Sequence, residues 1–474
     1  MMNYHTVETE QDMRDYISRI SAIGSAITEL TGQAKLASSE GVRPPRFAYE
    51  IVMKESQAII SGAPFDESDT ESALWADAKG KTTALVDAGT ITQERGDALL
   101  KLARGTLVND FAPSYEHLIA FMSDDIKNTS KKVQGVHALP DGAAYYKYRL
   151  KSITTTDMTA EKIHQLGLDE VKRIRTEMEA IKDKDGFKGT LQEYFAQIRD
   201  SKDNEKYYYE NTDEGRQGYI DDATAAIENL KNELSKYFGI LPKADLVVKR
   251  VEAFREQDGA PQHYYPGTPD GSRPGVYDAH LSDMKAMSKN ELEVIAYHEG
   301  LPGHHMQISI AQELEGIPKF RTQAHSTAYV EGWALYTEAL AKEMPNTYVT
   351  LGSDFGRLGS EIWRAIRLVV DTGMHHKKWS QQQAVDFFSE NSPAPLESIE
   401  TEIRRYLVIP GQATAYKIGM IDIQRLRKMA EDELGDKFDI RAFHDTVLGS
   451  GALPLSMLER QVKSWIATSN PKKS

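Results

Sequence analysis

The stretch Tyr297-His298-Glu299-Gly300-Leu301-Pro302-Gly303-His304-His305-Met306-Gln307 decides how the chain is read. It places a histidine, a carboxylate and two further histidines within eight residues, the residue types that metal-assisted hydrolysis uses. The run before it reads as a helix. Ser288 and Glu291 fit a Ser-x-x-Glu capping box, and Leu292, Ile295 and Ala296 mark a buried face. In the usual zincin spacing, His-Glu-x-x-His, two imidazoles fall one helical turn apart and the glutamate beside them activates a water. Here Pro302 stands four residues after His298. On an unbroken helix His304 would lie roughly 240° round from His298, and His305 about 10 Å along the axis. Neither suits metal–nitrogen bonds of about 2.0–2.1 Å. Pro302 cannot donate to the carbonyl of His298, and Gly303 accepts backbone angles that other residues resist. The spacing therefore predicts a break that folds two residues out and brings a later histidine beside His298. His304 is the expected partner, because removing two residues leaves a Gly-His ending to the helix; His305 is the alternative.

A third ligand is expected from Tyr329-Val330-Glu331-Gly332-Trp333-Ala334-Leu335-Tyr336-Thr337-Glu338. Glu331 and Glu338 are seven residues apart there, on nearly one helix face within an apolar segment. Glu331 is expected to be the ligand and Glu338 the acceptor for a histidine N–H behind it.

Composition sets the frame. A chain of 474 residues with 40% hydrophobic content can build a large helical enzyme, either one domain or two lobes around a cleft, divided at about residues 1–240 and 241–474. A formal net charge of −14 argues against nucleic-acid or anionic-membrane partners. With no cysteine there is neither disulfide nor thiolate ligand, so a zinc site must use His, Asp and Glu. No stretch resembles a membrane span. Residues 1–8 lack a basic region followed by an apolar run, so no secretion signal is read, which places the chain in the cytoplasm as written.

The first half reads as helices at residues 12–36, 48–61, 72–87, 92–110, 113–125 and 160–182, the last capped by Asp157 or Thr159. Between residues 244 and 284 the pattern changes. Leu246-Val247-Val248, Tyr264-Tyr265 and Val276-Tyr277-Asp278-Ala279-His280 predict a small antiparallel unit that offers an edge to an extended peptide. In the last third, Asp371 and His375 are four apart, so the carboxylate is expected to orient the imidazole. Tyr416 is a candidate donor to an oxyanion. Arg273, Arg405 and Gln412 are the expected substrate contacts, the arginines through a peptide carboxylate.

Several blocks together resemble the bacterial domain of unknown function 885 family, whose members are commonly described as lipoproteins. They are Leu139-Pro140-Asp141-Gly142 with Tyr145-Tyr146, Thr154-Thr155-Thr156 with His164-Gln165-Leu166-Gly167-Leu168, and Asp270-Gly271-Ser272-Arg273-Pro274-Gly275. The resemblance continues through residues 298–305, Glu331-Gly332-Trp333-Ala334-Leu335-Tyr336 and Pro410-Gly411-Gln412-Ala413. The family is distantly similar to helical gluzincin peptidases. That resemblance implies a mainly α fold with a deep cleft, a zinc-binding glutamate at Glu331, and members longer at the N-terminus. A signal or lipid-attachment segment ahead of this chain would make it periplasmic or lipid-anchored. The expectation is a peptidase holding one zinc ion on His298, His304 (or His305) and Glu331. Glu299 would be the general base, and Tyr416 and His375 the oxyanion contacts. The rivals are a non-catalytic peptide-binding protein that keeps the fold, and an esterase or amidase using the same metal.

Overall fold

In the structure, a computed structural model, residues 2, 5–201, 203–252, 256 and 261–469 are described. The contacts divide the chain into two units, Met1–Val133 and Gln134–Ser474. The division expected near residue 240 falls inside the second unit.

Helical spacing of apolar residues builds the first unit. It contains α1 (Glu10–Ser39), α2 (Arg46–Ile59), α3 (Ala73–Asp87), α4 (Gln93–Thr106) and α5 (Ala112–Asp125). Thr9 and Asp12 close a capping box at the start of α1, whose Met13, Tyr16, Ile17 and Ile20 then enter the core with Leu85, Leu99, Leu107 and Phe111. The helix expected over 92–110 is interrupted, because Leu107–Phe111 forms a wider π-helical turn.

The second unit begins with α6 (Gly142–Thr154), α7 (Ala160–Lys184), α8 (Leu191–Asp200), α9 (Asp213–Lys231) and the single turn α10 (Leu234–Tyr237). Thr159 caps α7 by accepting the Lys162 N–H. The sheet follows: β1 (Leu246–Arg250), β2 (His263–Tyr265) and β3 (Gly275–Ala279), in the order β1-β3-β2. The antiparallel unit expected here is only half right. β2 runs antiparallel to β3, but β1 runs parallel to it. A parallel pair needs a long crossover, and β2 lies on the stretch of chain between the two strands. The central strand β3 is buried along its whole length.

The remainder is helical: α11 (Lys289–Glu299), α12 (His304–Glu313), α13 (Lys319–Thr322), α14 (Thr327–Ala341), α15 (Leu351–His375), α16 (Gln381–Asn391), α17 (Leu396–Val408), α18 (Ala415–Leu434), α19 (Ile440–Leu448) and α20 (Leu455–Ser469). Helix α15 is the axis of this unit, packing on α7, α11 and α16. Buried charge joins α7, α15 and α18. The Lys417 ammonium, with no exposure to solvent, lies 2.6 Å from Glu361 and 2.9 Å from Glu170. Among the described residues no helix is long and apolar enough to cross a membrane.

Candidate metal centre

The helix break falls where proline and glycine place it. Helix α11 stops at Glu299, and α12 restarts at His304. Between them the Leu301–Pro302 bond is cis, and the Pro302 carbonyl accepts the Trp333 indole N–H at 3.0 Å. At Gly303 an added Cβ would stand 2.0 Å from the His298 carbonyl oxygen and 2.3 Å from that of Tyr297, so only glycine lets the chain double back this closely. The return brings the His298 and His304 rings to a centroid separation of 4.7 Å, nearly perpendicular. The expected capping box does not form. Ser288 accepts the Asn290 N–H, while Glu291 turns inward and burial raises its pKa.

Glu331, on α14, faces both rings. Its Oε2 lies 3.4 Å from His304 Nε2 and 3.8 Å from His298 Nε2, and the three donor atoms all fall within 4.8 Å of one another. A tetrahedral ion with bonds of about 2.1 Å requires its ligand atoms about 3.4 Å apart, the separation at which Glu331 and His304 already stand, while His298 lies slightly wider from Glu331. The two imidazoles differ in protonation: on His304 burial acts downward but the contact with Glu331 raises the pKa, whereas His298 is set as a neutral ligand. His298 Nδ1–H donates to Glu338 Oε1 at 2.6 Å, which fixes the tautomer and leaves Nε2 with a free lone pair towards Glu331. Burial, with His304 and Arg364 nearby, holds His298 well below the ordinary histidine pKa and therefore neutral. For Glu331, burial acts upward, but its contact with His304 prevails and brings it down to about 2. Burial pushes Glu299 and Glu338 each up to about 7, against the pull of His304 on the first and Arg364 on the second.

Close packing fixes the height of Glu331. The neighbouring Gly332 faces Gly419 of α18; a Cβ on Gly332 would come within 2.4 Å of the Gly419 Cα, and one on Gly419 within 1.8 Å of the Ala328 carbonyl oxygen. This glycine-on-glycine crossing brings Tyr416, one turn before Gly419, into the electrostatic reach of Glu331.

The structure sorts the expected residues. His298, His304, Glu331 and Glu338 come together as read, with Glu299 at the end of α11 beside them. His305, the alternative ligand, turns away: its Nε2–H donates to the Ala244 carbonyl at 3.1 Å and its Nδ1 accepts from the Tyr264 hydroxyl at 3.1 Å. His375 is not an oxyanion contact. Both its nitrogens are used by backbone, Nδ1 accepting from Val136 N–H and Nε2–H donating to the Tyr406 carbonyl, each at 3.0 Å. Asp371 does not orient it by a hydrogen bond. The carboxylate instead accepts from the Tyr146 hydroxyl at 2.5 Å and the Gly411 N–H at 3.1 Å, a structural clamp between helices. Arg405 is bound to Glu402 at 3.0 Å and to the Gln412 side-chain carbonyl at 2.9 Å, while the Gln412 amide donates to Tyr416 at 3.4 Å. These two thus support Tyr416 rather than lying free for a substrate. Arg273 belongs to the turn in which its backbone N–H donates to the Thr268 hydroxyl at 3.0 Å.

One residue escaped the sequence reading. Arg367 of α15, 7% exposed, holds its guanidinium 4.5 Å from the centre of the Tyr416 ring. Its sequence signal is slight, one basic residue within the apolar run Ile366-Arg367-Leu368-Val369-Val370.

Two solved structures are similar along nearly the whole chain. That of "the putative lipoprotein from Colwellia psychrerythraea" has a TM-score of 0.91 at 32% identity, covering 98% of this chain and 78% of that one. That of "a putative lipoprotein of unknown function from Shewanella oneidensis" has a TM-score of 0.61 at 17% identity, covering 97% and 94%, and shares the fold alone. No curated protein matches. A family model for bacterial proteins of unknown function, DUF885, matches residues 1–462, and the chain belongs to that family.

Proposed function

We propose that this chain is a zinc-dependent peptidase of gluzincin-like design, cleaving peptides small enough to reach the buried triad. One observation carries the reading: two imidazole nitrogens and one carboxylate oxygen gather within 4.8 Å of one another, close to what a tetrahedral ion needs, with a further glutamate adjoining them in sequence. Zinc, when bound by His298, His304 and Glu331, supplies Lewis acidity towards the scissile carbonyl and lowers the pKa of a water. The chain's own groups do the rest. Glu299 takes a proton from the attacking water and returns one to the departing amine as the C–N bond breaks. Tyr416 donates its hydroxyl to the oxygen on which negative charge develops. Glu338 holds the His298 ring and its tautomer throughout.

Zinc-loaded protein should hydrolyse members of a short-peptide library, read by mass spectrometry of the products. Glu299→Gln should keep its zinc and lose turnover by about 100- to 10,000-fold. Full activity in that variant, or no hydrolysis by the zinc-loaded wild type, would overturn the reading, the latter in favour of a binding protein that keeps the fold.

A further inference from the structure

Arg367 is more deeply embedded than its bonds require. Its Nε–H donates to the Tyr406 hydroxyl at 2.7 Å and its Nη2 to Glu402 at 2.9 Å, yet Nη1 is buried without a hydrogen-bond partner among the described residues. Glu402 is also the carboxylate bound by Arg405, so two guanidinium groups share one counter-charge. Buried cations are costly unless fully paired, and a cluster one negative charge short is poised for an anion. The surplus lies over Tyr416. The Arg367 guanidinium lies over that ring, 4.5 Å from its centre, and the Gln412 amide donates to the phenol oxygen. Its charge is felt by both Glu331 and His298.

We propose that Arg367 is the positioning residue for Tyr416, its guanidinium fixing the phenol by stacking and setting positive charge behind the hydroxyl that meets the developing oxyanion. The inference rests on the peptidase reading and adds to it a residue that touches neither the triad nor the substrate. A flat guanidinium can stack and bond in its plane at once, which a lysine ammonium cannot. Arg367→Lys therefore keeps the charge and loses the stacked face.

The test compares Arg367→Met, Arg367→Lys and Tyr416→Phe in the full chain, each first checked for wild-type zinc content. Arg367→Met should lower kcat by roughly 10- to 100-fold with KM changed less than about 3-fold, and Arg367→Lys should recover part of the loss. In a Tyr416→Phe background the same change should cost less than about 3-fold, because Arg367 acts through the hydroxyl already removed. Calorimetry supplies a readout independent of turnover. A phosphonate tripeptide, tetrahedral and anionic, should bind Arg367→Met more weakly by about the factor lost in kcat, while an uncleaved peptide should bind Glu299→Gln equally with or without that change. Full additivity of the two substitutions would overturn the inference while leaving the peptidase reading in place. So would a rise in KM confined to peptides with a free C-terminal carboxylate, which would make Arg367 a substrate anchor. A zinc-loaded wild type with neither turnover nor phosphonate binding would overturn both.

Discussion

Glu338 touches His298 and not the proposed ion, which makes it the sharpest test of how the centre is held. Glu338→Gln replaces a carboxylate acceptor by a neutral amide and weakens the grip on the imidazole tautomer. Zinc affinity should fall by about 10- to 100-fold, measured by competition with a chelator of known strength. An unchanged affinity would show that the 2.6 Å hydrogen bond plays no part in metal binding. At this scale the sequence was legible where the candidate site is local. His298, Glu299 and His304 are close in the chain, and Glu331 and Glu338 lie on one helix, so spacing alone carried the reading. It failed where the deciding partner came from another segment. Nothing near His375 announces that Val136 and the Tyr406 carbonyl will occupy its nitrogens, and nothing near Asp371 announces Tyr146. Two residues four apart on a helix share a face, but packing decides whether they bond each other or a neighbour.

Among the elements, the crossing of α14 and α18 sets the position of Glu331, and it depends on two residues without side chains. Gly332→Ala must push the helices apart or strain both backbones. It should destabilise the protein by about 1–3 kcal/mol, read as a lower urea midpoint, and should weaken zinc binding as Glu331 shifts. Gly32→Ala is the control: on α1, with open space around the added carbon, it should raise the midpoint by roughly 0.5–1 kcal/mol in the stability of the first unit. Equal midpoints for wild type and Gly332→Ala would contradict the packing argument. Element types were mostly readable from periodicity, since α1 to α5 and α7 each match a run of apolar residues at helical spacing. The sheet was less so. Three short apolar runs separated by turns predict strands, but direction depends on how the intervening chain crosses, and β1 beside β3 in parallel is a fact of tertiary structure. The helix break was predictable for the opposite reason, because proline and glycine impose it locally.

For the whole molecule, acid should act in part through a histidine buried neutral far from the ligands in sequence. His444 Nε2 accepts from the Tyr336 hydroxyl and its Nδ1–H donates to the Tyr237 carbonyl, both at 2.8 Å, and burial pushes its pKa down to about 3. The unfolded chain binds that proton near pH 6.5, about the unperturbed histidine value. Its contribution is therefore fully present above about pH 6.5 and is lost as pH falls towards 3. The urea midpoint should drop between about pH 7.5 and about pH 5, with a shallower drop in His444→Gln, and a midpoint flat across that range would contradict the assignment. The absence of cysteine, plain in the sequence, excluded thiolate ligands from this chain in advance, and the acidic composition argued against nucleic-acid partners, whereas the division at residue 133 had no punctuation to announce it.

The central claim is that His298, His304 and Glu331 hold one divalent ion while His305 does not. Zinc content per chain, measured by mass spectrometry after loading and dialysis, tests it most directly across the wild type, His304→Ala and His305→Ala. The account predicts about one zinc in the wild type and in His305→Ala, and none retained in His304→Ala. A wild type that retains no zinc, or a His305→Ala protein that loses it while His304→Ala keeps it, would contradict the account.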